Sequence, residues 1–140
     1  TPGSRWLKRE VAVANSEEQL KLNLSSSSRV SRLQRVRMAN DVVMALEETT
    51  LPYSLVPDPN LVGDSLYEYM RTNRLSVVRA IQNIAAINAT QAISDLVDVA
   101  PGDAMLHLTR VGFLENGVAI ELTHSYFRND YYDFVVELRK

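Results

Sequence analysis

Apolar and polar residues alternate over residues 5–14 (RWLKREVAVA), and this period of two predicts a strand. Ser16-Glu17-Glu18-Gln19 then matches a capping box, Ser16 to Gln19, ahead of Leu20, Leu22 and Leu24, so a helix of about two turns follows. The serines at 25–28 form a low-complexity loop. Residues 30–38 and 42–49 pair as a hairpin across Ala39-Asn40-Asp41. Its apolar positions Val30, Leu33 and Val36 are spaced by three, which predicts a bulge. Three prolines, at 52, 57 and 59, make residues 51–60 an extended crossing segment.

The second half repeats this order. Ser65 and Glu68 predict another capping box, opening a helix with Leu66, Tyr69, Met70 and Asn73 on one face. Residues 77–87 read as a strand, and residues 90–96 as a short helix capped by Thr90. After the Pro101-Gly102 turn, residues 104–114 and 118–127 form strands joined across Asn116-Gly117, a strong hairpin signal. Asn129-Asp130 breaks the pattern, and residues 132–138 read as a strand that closes the sheet. Short connections favour antiparallel pairing, so the expected class is α+β.

Two stretches look like copies of one unit about 75 positions apart. Arg35-Val36-Arg37, a turn and Ala45-Leu46-Glu47 are echoed by Arg110-Val111, a turn and Ala119-Ile120-Glu121. Such doubling predicts two halves about a pseudo-two-fold axis, with Arg and Glu side chains directed toward a shared cleft. Arg35 and Arg37 lie two apart and so emerge on one strand face. Guanidinium forks suit phosphate or carboxylate. A solvated charged face, with Glu47 as salt-bridge partner of either arginine, is the competing account. Ser65 is expected at a helix N-terminus, Tyr67 in its first turn, and Glu121 among apolar neighbours, where it needs a partner such as Arg110.

Composition narrows the choices. The 140 residues suit one domain; 46% are hydrophobic, 23% charged, and the net charge is −2. That balance argues against nucleic-acid binding by this stretch itself. With no cysteine, disulfides, thiolate metal sites and a Cys nucleophile are excluded, which fits a reducing cytoplasm. No apolar run reaches the length of a membrane span. The two histidines, His107 and His124, show no catalytic or metal-binding spacing, and no phosphate-loop or dinucleotide fingerprint occurs.

Taken in order, several motifs resemble the UTRA domain, the effector-binding half of GntR-type transcriptional regulators of the HutC subfamily. They are Pro2-Gly3-Ser4-Arg5-Trp6-Leu7, Val30 to Asn40 with its Leu33, Arg35 and Arg37, Glu47 with Leu51-Pro52, Ser65-Leu66-Tyr67, and Glu121 with Phe127-Arg128-Asn129-Asp130-Tyr131-Tyr132. The resemblance spans nearly the whole chain. It implies a chorismate-lyase-like fold: a central antiparallel sheet flanked by short helices, without enzyme activity or cofactor. It also implies a small anionic effector such as a sugar phosphate, a homodimer, and DNA contact through a winged helix-turn-helix domain outside this chain. A leading segment of the UTRA domain is expected to be absent too. By analogy Arg35, Arg37 and Ser65 would hold the phosphate or carboxylate, with Glu47, Tyr67, Glu121 and Phe127 around the remainder. Phe127 stands where the family has Tyr, and Asn129 and Tyr131 replace Gly and Arg. Two competing classes are a lyase acting on a small carboxylated substrate and a dimerisation module whose Arg–Glu pairs are internal.

Overall fold

The computed structural model describes residues 2–131. Its strands are β1 (Pro2–Val13), β2 (Arg29–Ala39), β3 (Val42–Pro52), β4 (Arg79–Asn88), β5 (Ala104–Phe113) and β6 (Ala119–Arg128). Its helices are α1 (Ser16–Leu22), α2 (Leu66–Thr72) and α3 (Gln91–Ser94), with a 3₁₀ turn at Pro59–Leu61. All six strands join one antiparallel sheet in the order β1-β2-β3-β6-β5-β4. The fold is therefore α+β, as expected. The predicted strand at 132–138 lies outside the described residues.

The doubling is real at the level of topology. Strand, helix and hairpin occur as β1-α1-β2-β3 and again as β4-α3-β5-β6. The halves meet where β3 pairs with β6. Thr49 and Thr123, equivalent positions of the two repeats, face each other there, and their hydroxyls lie 2.9 Å apart. The pseudo-two-fold axis passes through this pair.

Two local expectations shift. The N-cap of α1 is Asn15, whose side chain accepts from the Glu18 N–H at 2.9 Å while Glu18 accepts from the Asn15 N–H at 2.8 Å. Both Asn15/Glu18 and Ser16/Gln19 fit the pattern; Glu18 wins because it also receives Arg32 and Thr50 from the sheet. Burial pushes the Glu18 carboxyl up, but those hydrogen bonds together hold it below its ordinary range. At α2, Ser65 is the cap, accepting from the Glu68 N–H at 3.2 Å. The Glu68 carboxylate turns instead to Arg71, so the reciprocal half of the box is not formed.

The expected bulge within residues 30–36 is absent, because β2 keeps an unbroken register against β3 from Val30 to Arg37. Irregularities fall near Leu7 in β1 and Met44 in β3. The spacing of three has another cause: β2 is covered on both faces. Leu33 packs with Leu51, Val56, Val62, Leu66 and Met70, beneath α2 and the proline-rich crossing. Val36 packs on the opposite face with Leu46, Val97 and Met105, beneath α3. The crossing is not extended throughout, since β3 runs to Pro52 and the 3₁₀ turn begins at Pro59.

Candidate functional site

Alternation along the strands carries Arg35 and Arg37 of β2, Glu47 and Thr49 of β3, Glu121, Thr123, Ser125 and Phe127 of β6, and Leu108 and Arg110 of β5 to one sheet face. The N-terminal end of α2 lies over this face. Asp64, Ser65 and Tyr67 close a cavity of about 390 Å³ against the strands. All seven residues proposed from sequence line it: Arg35, Arg37, Glu47, Ser65, Tyr67, Glu121 and Phe127. Sequence reading reached these seven by motif. It cast Arg110 as a salt-bridge partner and did not place Thr49, Thr123, Ser125, Leu108 or Gln82 in the site. Stepping by two from Glu121 along β6 finds Thr123, Ser125 and Phe127; Gln82 and Leu108 carry no comparable signal.

At one end Arg35 stands directly across the ladder from Glu47, with Arg35 Nε 3.4 Å from its carboxylate. Arg37 donates to the same carboxylate through Nε. Two guanidiniums thus share one acid. Arg35 also donates from Nη1 to the Asp64 carbonyl at 3.0 Å and lies 4.9 Å from the Trp6 ring centre. Burial, eased by Glu47, lowers its pKa. The Ser65 hydroxyl uses a lone pair on the helix cap, so its own proton is not consumed by that bond.

The other end is arranged differently. Glu121 is 2% exposed and accepts from the Tyr67 hydroxyl at 3.1 and 3.2 Å and from Thr123 at 2.7 Å. Burial, and then the Glu121 charge, push the Tyr67 hydroxyl pKa upward, so it stays a donor. Arg110 Nε is 3.4 Å from Glu121, and its guanidinium sits 5.3 Å from the Tyr67 ring centre. Arg110 Nε is nevertheless a buried donor with no hydrogen-bond partner among the described residues. The two Arg–Glu pairs are not exact copies. Arg35 faces Glu47, whereas the ladder position facing Glu121 is Gly112, and Arg110 faces Thr123. A Cβ on Gly112 would lie 2.6 Å from Glu121 Oε1, so the missing side chain makes room for the carboxylate.

Phe127 is buried at the rim, stacked at 5.8 Å on Tyr131, and beyond it Arg128 pairs with Asp130 at 2.9 Å. A second hollow of about 420 Å³ opens on the reverse face, but there Arg32 is paired with Glu18, His124 with Glu17, and Gln34 with Glu48. The histidines do meet, contrary to their sequence spacing: His107 Nε2 is 2.8 Å from His124 Nδ1 across β5 and β6. They lie on the face away from the Arg–Glu cavity. No group of acidic or histidine side chains able to hold a metal ion occurs among the described residues. None of the described helices is long and apolar enough to cross a membrane.

The profile of the UTRA domain matches residues 1–133. The HTH-type transcriptional repressor NagR of Bacillus subtilis (strain 168) is 31% identical over 138 residues, which is 96% of this chain and 57% of that protein. The mannosyl-D-glycerate transport/metabolism system repressor MngR of Escherichia coli (strain K12) is 29% identical over 130 residues, 91% of this chain and 54% of that one. The chain thus spans somewhat over half the length of these relatives. The crystal structure of the effector domain of PhnF from Mycobacterium smegmatis superposes with a TM-score of 0.85 at 25% identity, covering 93% of this chain and 82% of that one.

Proposed function

This chain belongs to the UTRA domain family, and from that premise we propose that it is the ligand-sensing domain of a bacterial transcriptional regulator, most simply a repressor. Its cavity receives a small anionic, hydroxyl-bearing metabolite such as a sugar phosphate. One observation carries this reading: two arginines that share a single carboxylate face a Glu121 already supplied with neutral donors, across one hollow of about 390 Å³. That volume suits a small-molecule site, which typically spans roughly 300–1,000 Å³.

In this reading Arg35, Arg37 and the Ser65 hydroxyl hold the phosphate or carboxylate, since an anion relieves two guanidiniums that have one acid between them. Glu47 and Glu121 accept hydrogen bonds from hydroxyls, and Tyr67 and Phe127 flank the ligand. The Nε of Arg110, which has no hydrogen-bond partner among the described residues, is a further donor for an oxygen of the ligand. The cavity serves as a receptor and not as an active centre: its acids are neutralised in place, and both histidines lie behind the sheet. Contact with DNA falls to a separate winged helix-turn-helix domain, in a cytoplasmic homodimer. Ligand binding and DNA affinity are then coupled reciprocally.

A thermal-shift screen of hexose phosphates, amino-sugar phosphates and carboxylated metabolites tests this. A compound present at 100 times its Kd adds about 2.7 kcal/mol of stability. The shift should shrink by about half or more in Arg37→Ala. If no such anion raises the melting temperature, the receptor reading fails and a purely structural Arg–Glu module replaces it.

A further inference from the structure

We infer that Trp6 is a positioning residue of the cavity: it holds both the anion-facing Arg35 and the segment at 62–64 that leads into α2. It thereby fixes where Ser65 and Tyr67 stand. The inference rests on the reading of the cavity as an anion receptor. Trp6 does not itself line the hollow.

A row of side chains across the sheet begins with it. Trp6 of β1 stands directly opposite Arg35 of β2, and Arg35 directly opposite Glu47 of β3. Opposite residues in neighbouring strands share a face, so Trp6 lies on the cavity side, packed against the cluster that holds Leu33, Val62 and Leu66. A regular strand would send Trp6 and Arg9, three positions apart, to opposite faces. The irregularity near Leu7 inserts one extra residue between them. Arg9 then pairs with Leu33 as Trp6 pairs with Arg35, and both come to the same side.

Three side chains there clamp three successive carbonyls. Arg9 Nη1 donates to Val62 at 2.8 Å, Trp6 Nε1 to Gly63 at 3.1 Å and Arg35 Nη1 to Asp64 at 3.0 Å. The next residue, Ser65, caps α2. Gly63, Asp64 and Ser65 are all exposed, so packing does little to fix this segment and the side-chain donors take that part. Trp6 is central in two ways. Its N–H takes the middle carbonyl, and its ring lies against both flanking guanidiniums, with Arg35 at 4.9 Å and Arg9 at 5.6 Å from the ring centre.

A long arginine side chain that must be ordered on binding costs affinity. Arg35 is ordered beforehand, by the Trp6 ring, the Glu47 carboxylate and the Asp64 carbonyl. Apolar packing alone would require neither the indole N–H nor a ring between two cations and a backbone strap. Trp6 is also the only tryptophan of the chain, so its emission reports this clamp and nothing else.

Amide exchange followed by nuclear magnetic resonance on the ligand-free 140-residue chain tests the role, read at Glu68 and Tyr69, whose N–H groups bond to Ser65. Trp6→Phe keeps a ring and loses the N–H; Trp6→Leu loses both. Exchange at these two amides should quicken about threefold in Trp6→Phe, the worth of one hydrogen bond. It should quicken about tenfold in Trp6→Leu, where the hold on both guanidiniums goes too. The β3–β6 ladder should keep its native rates. Unchanged exchange in both variants, or acceleration spread evenly over the sheet as an ordinary core residue would give, overturns the inference. If Trp6→Leu does not fold, Trp6→Phe decides by the same criteria. Titration of the native chain with inorganic phosphate should change the Trp6 emission saturably. Phosphate that raises the melting temperature but leaves this emission unmoved also overturns the inference, while the receptor reading stands. The lack of any melting shift bears on the receptor reading alone, since the exchange rates are taken without ligand.

Discussion

The two ends of the cavity are built from the same kind of hairpin and yet have opposite characters. At the Arg35 end, a carboxylate directly across the ladder serves two guanidiniums, and the surplus positive charge faces the hollow. At the Glu121 end, glycine occupies the facing position, the acid is sunk into the sheet, and tyrosine and threonine hydroxyls satisfy it before Arg110 is considered. An internal repeat therefore sets where functional side chains fall, but the residue across the strand sets what they do. The first end is arranged to receive a charge and the second to hold one already present.

The widest test of this contrast is Glu121→Ala. Removing a buried acid strands Arg110 beside an empty space, and urea denaturation should show a loss of about 3 kcal/mol. The matching change Glu47→Ala, at a more exposed acid, should cost clearly less. Equal losses would mean that the two ends are equivalent after all. Next in size is Arg37→Ala, expected to weaken binding of a cognate anion by about 1.5–3 kcal/mol in calorimetry while barely moving the melting temperature, because Arg35 still neutralises Glu47. A change in stability without a change in affinity would assign this end a structural role.

Gly112→Ala sharpens the second half of the comparison. The new Cβ meets Glu121 at 2.6 Å and Val77 at 3.0 Å, so stability should fall by about 1–3 kcal/mol, measured by denaturant midpoint. Tyr67→Phe removes one donor from Glu121 and should cost about 0.5–1.5 kcal/mol.

The smallest effect concerns the reverse face. Burial, and then the neighbouring His124, lower the pKa of His107. The unfolded chain therefore binds a proton that the folded chain resists, and stability falls as pH drops below the ordinary histidine value of 6.5 toward the lowered one. Melting temperatures between pH 7.5 and 5 should show this slope, and His107→Asn should flatten it. Ligand affinity in Arg37→Ala and the native chain should respond alike over that range, since the histidines do not face the cavity.

Much of this molecule is legible in its residues. Alternation placed most strands, Asn116-Gly117 marked a hairpin, and Thr90 capped α3 as expected. The Asn40-Asp41 turn has both residues at positive φ, as a tight hairpin requires. The family resemblance implied seven residues that the fold gathers into one cavity. The errors share one cause. Burial on both faces of β2 mimicked a bulge, and two overlapping capping boxes at residues 15–19 were resolved by a contact with Arg32, distant in sequence.

By itself the order of residues determined the class of fold, the repeated strand–helix–hairpin unit and the side-chain types available for binding, because these follow from periods of two and from local turn and cap chemistry. Tertiary structure alone decided that Gly112, and not an arginine, faces Glu121, that Arg110 Nε is buried beside Glu121 without a hydrogen-bond partner among the described residues, and that β4 is the outermost strand of the described sheet. Each of these depends on register between strands tens of residues apart, and a shift of two residues there leaves every local pattern in the sequence unchanged.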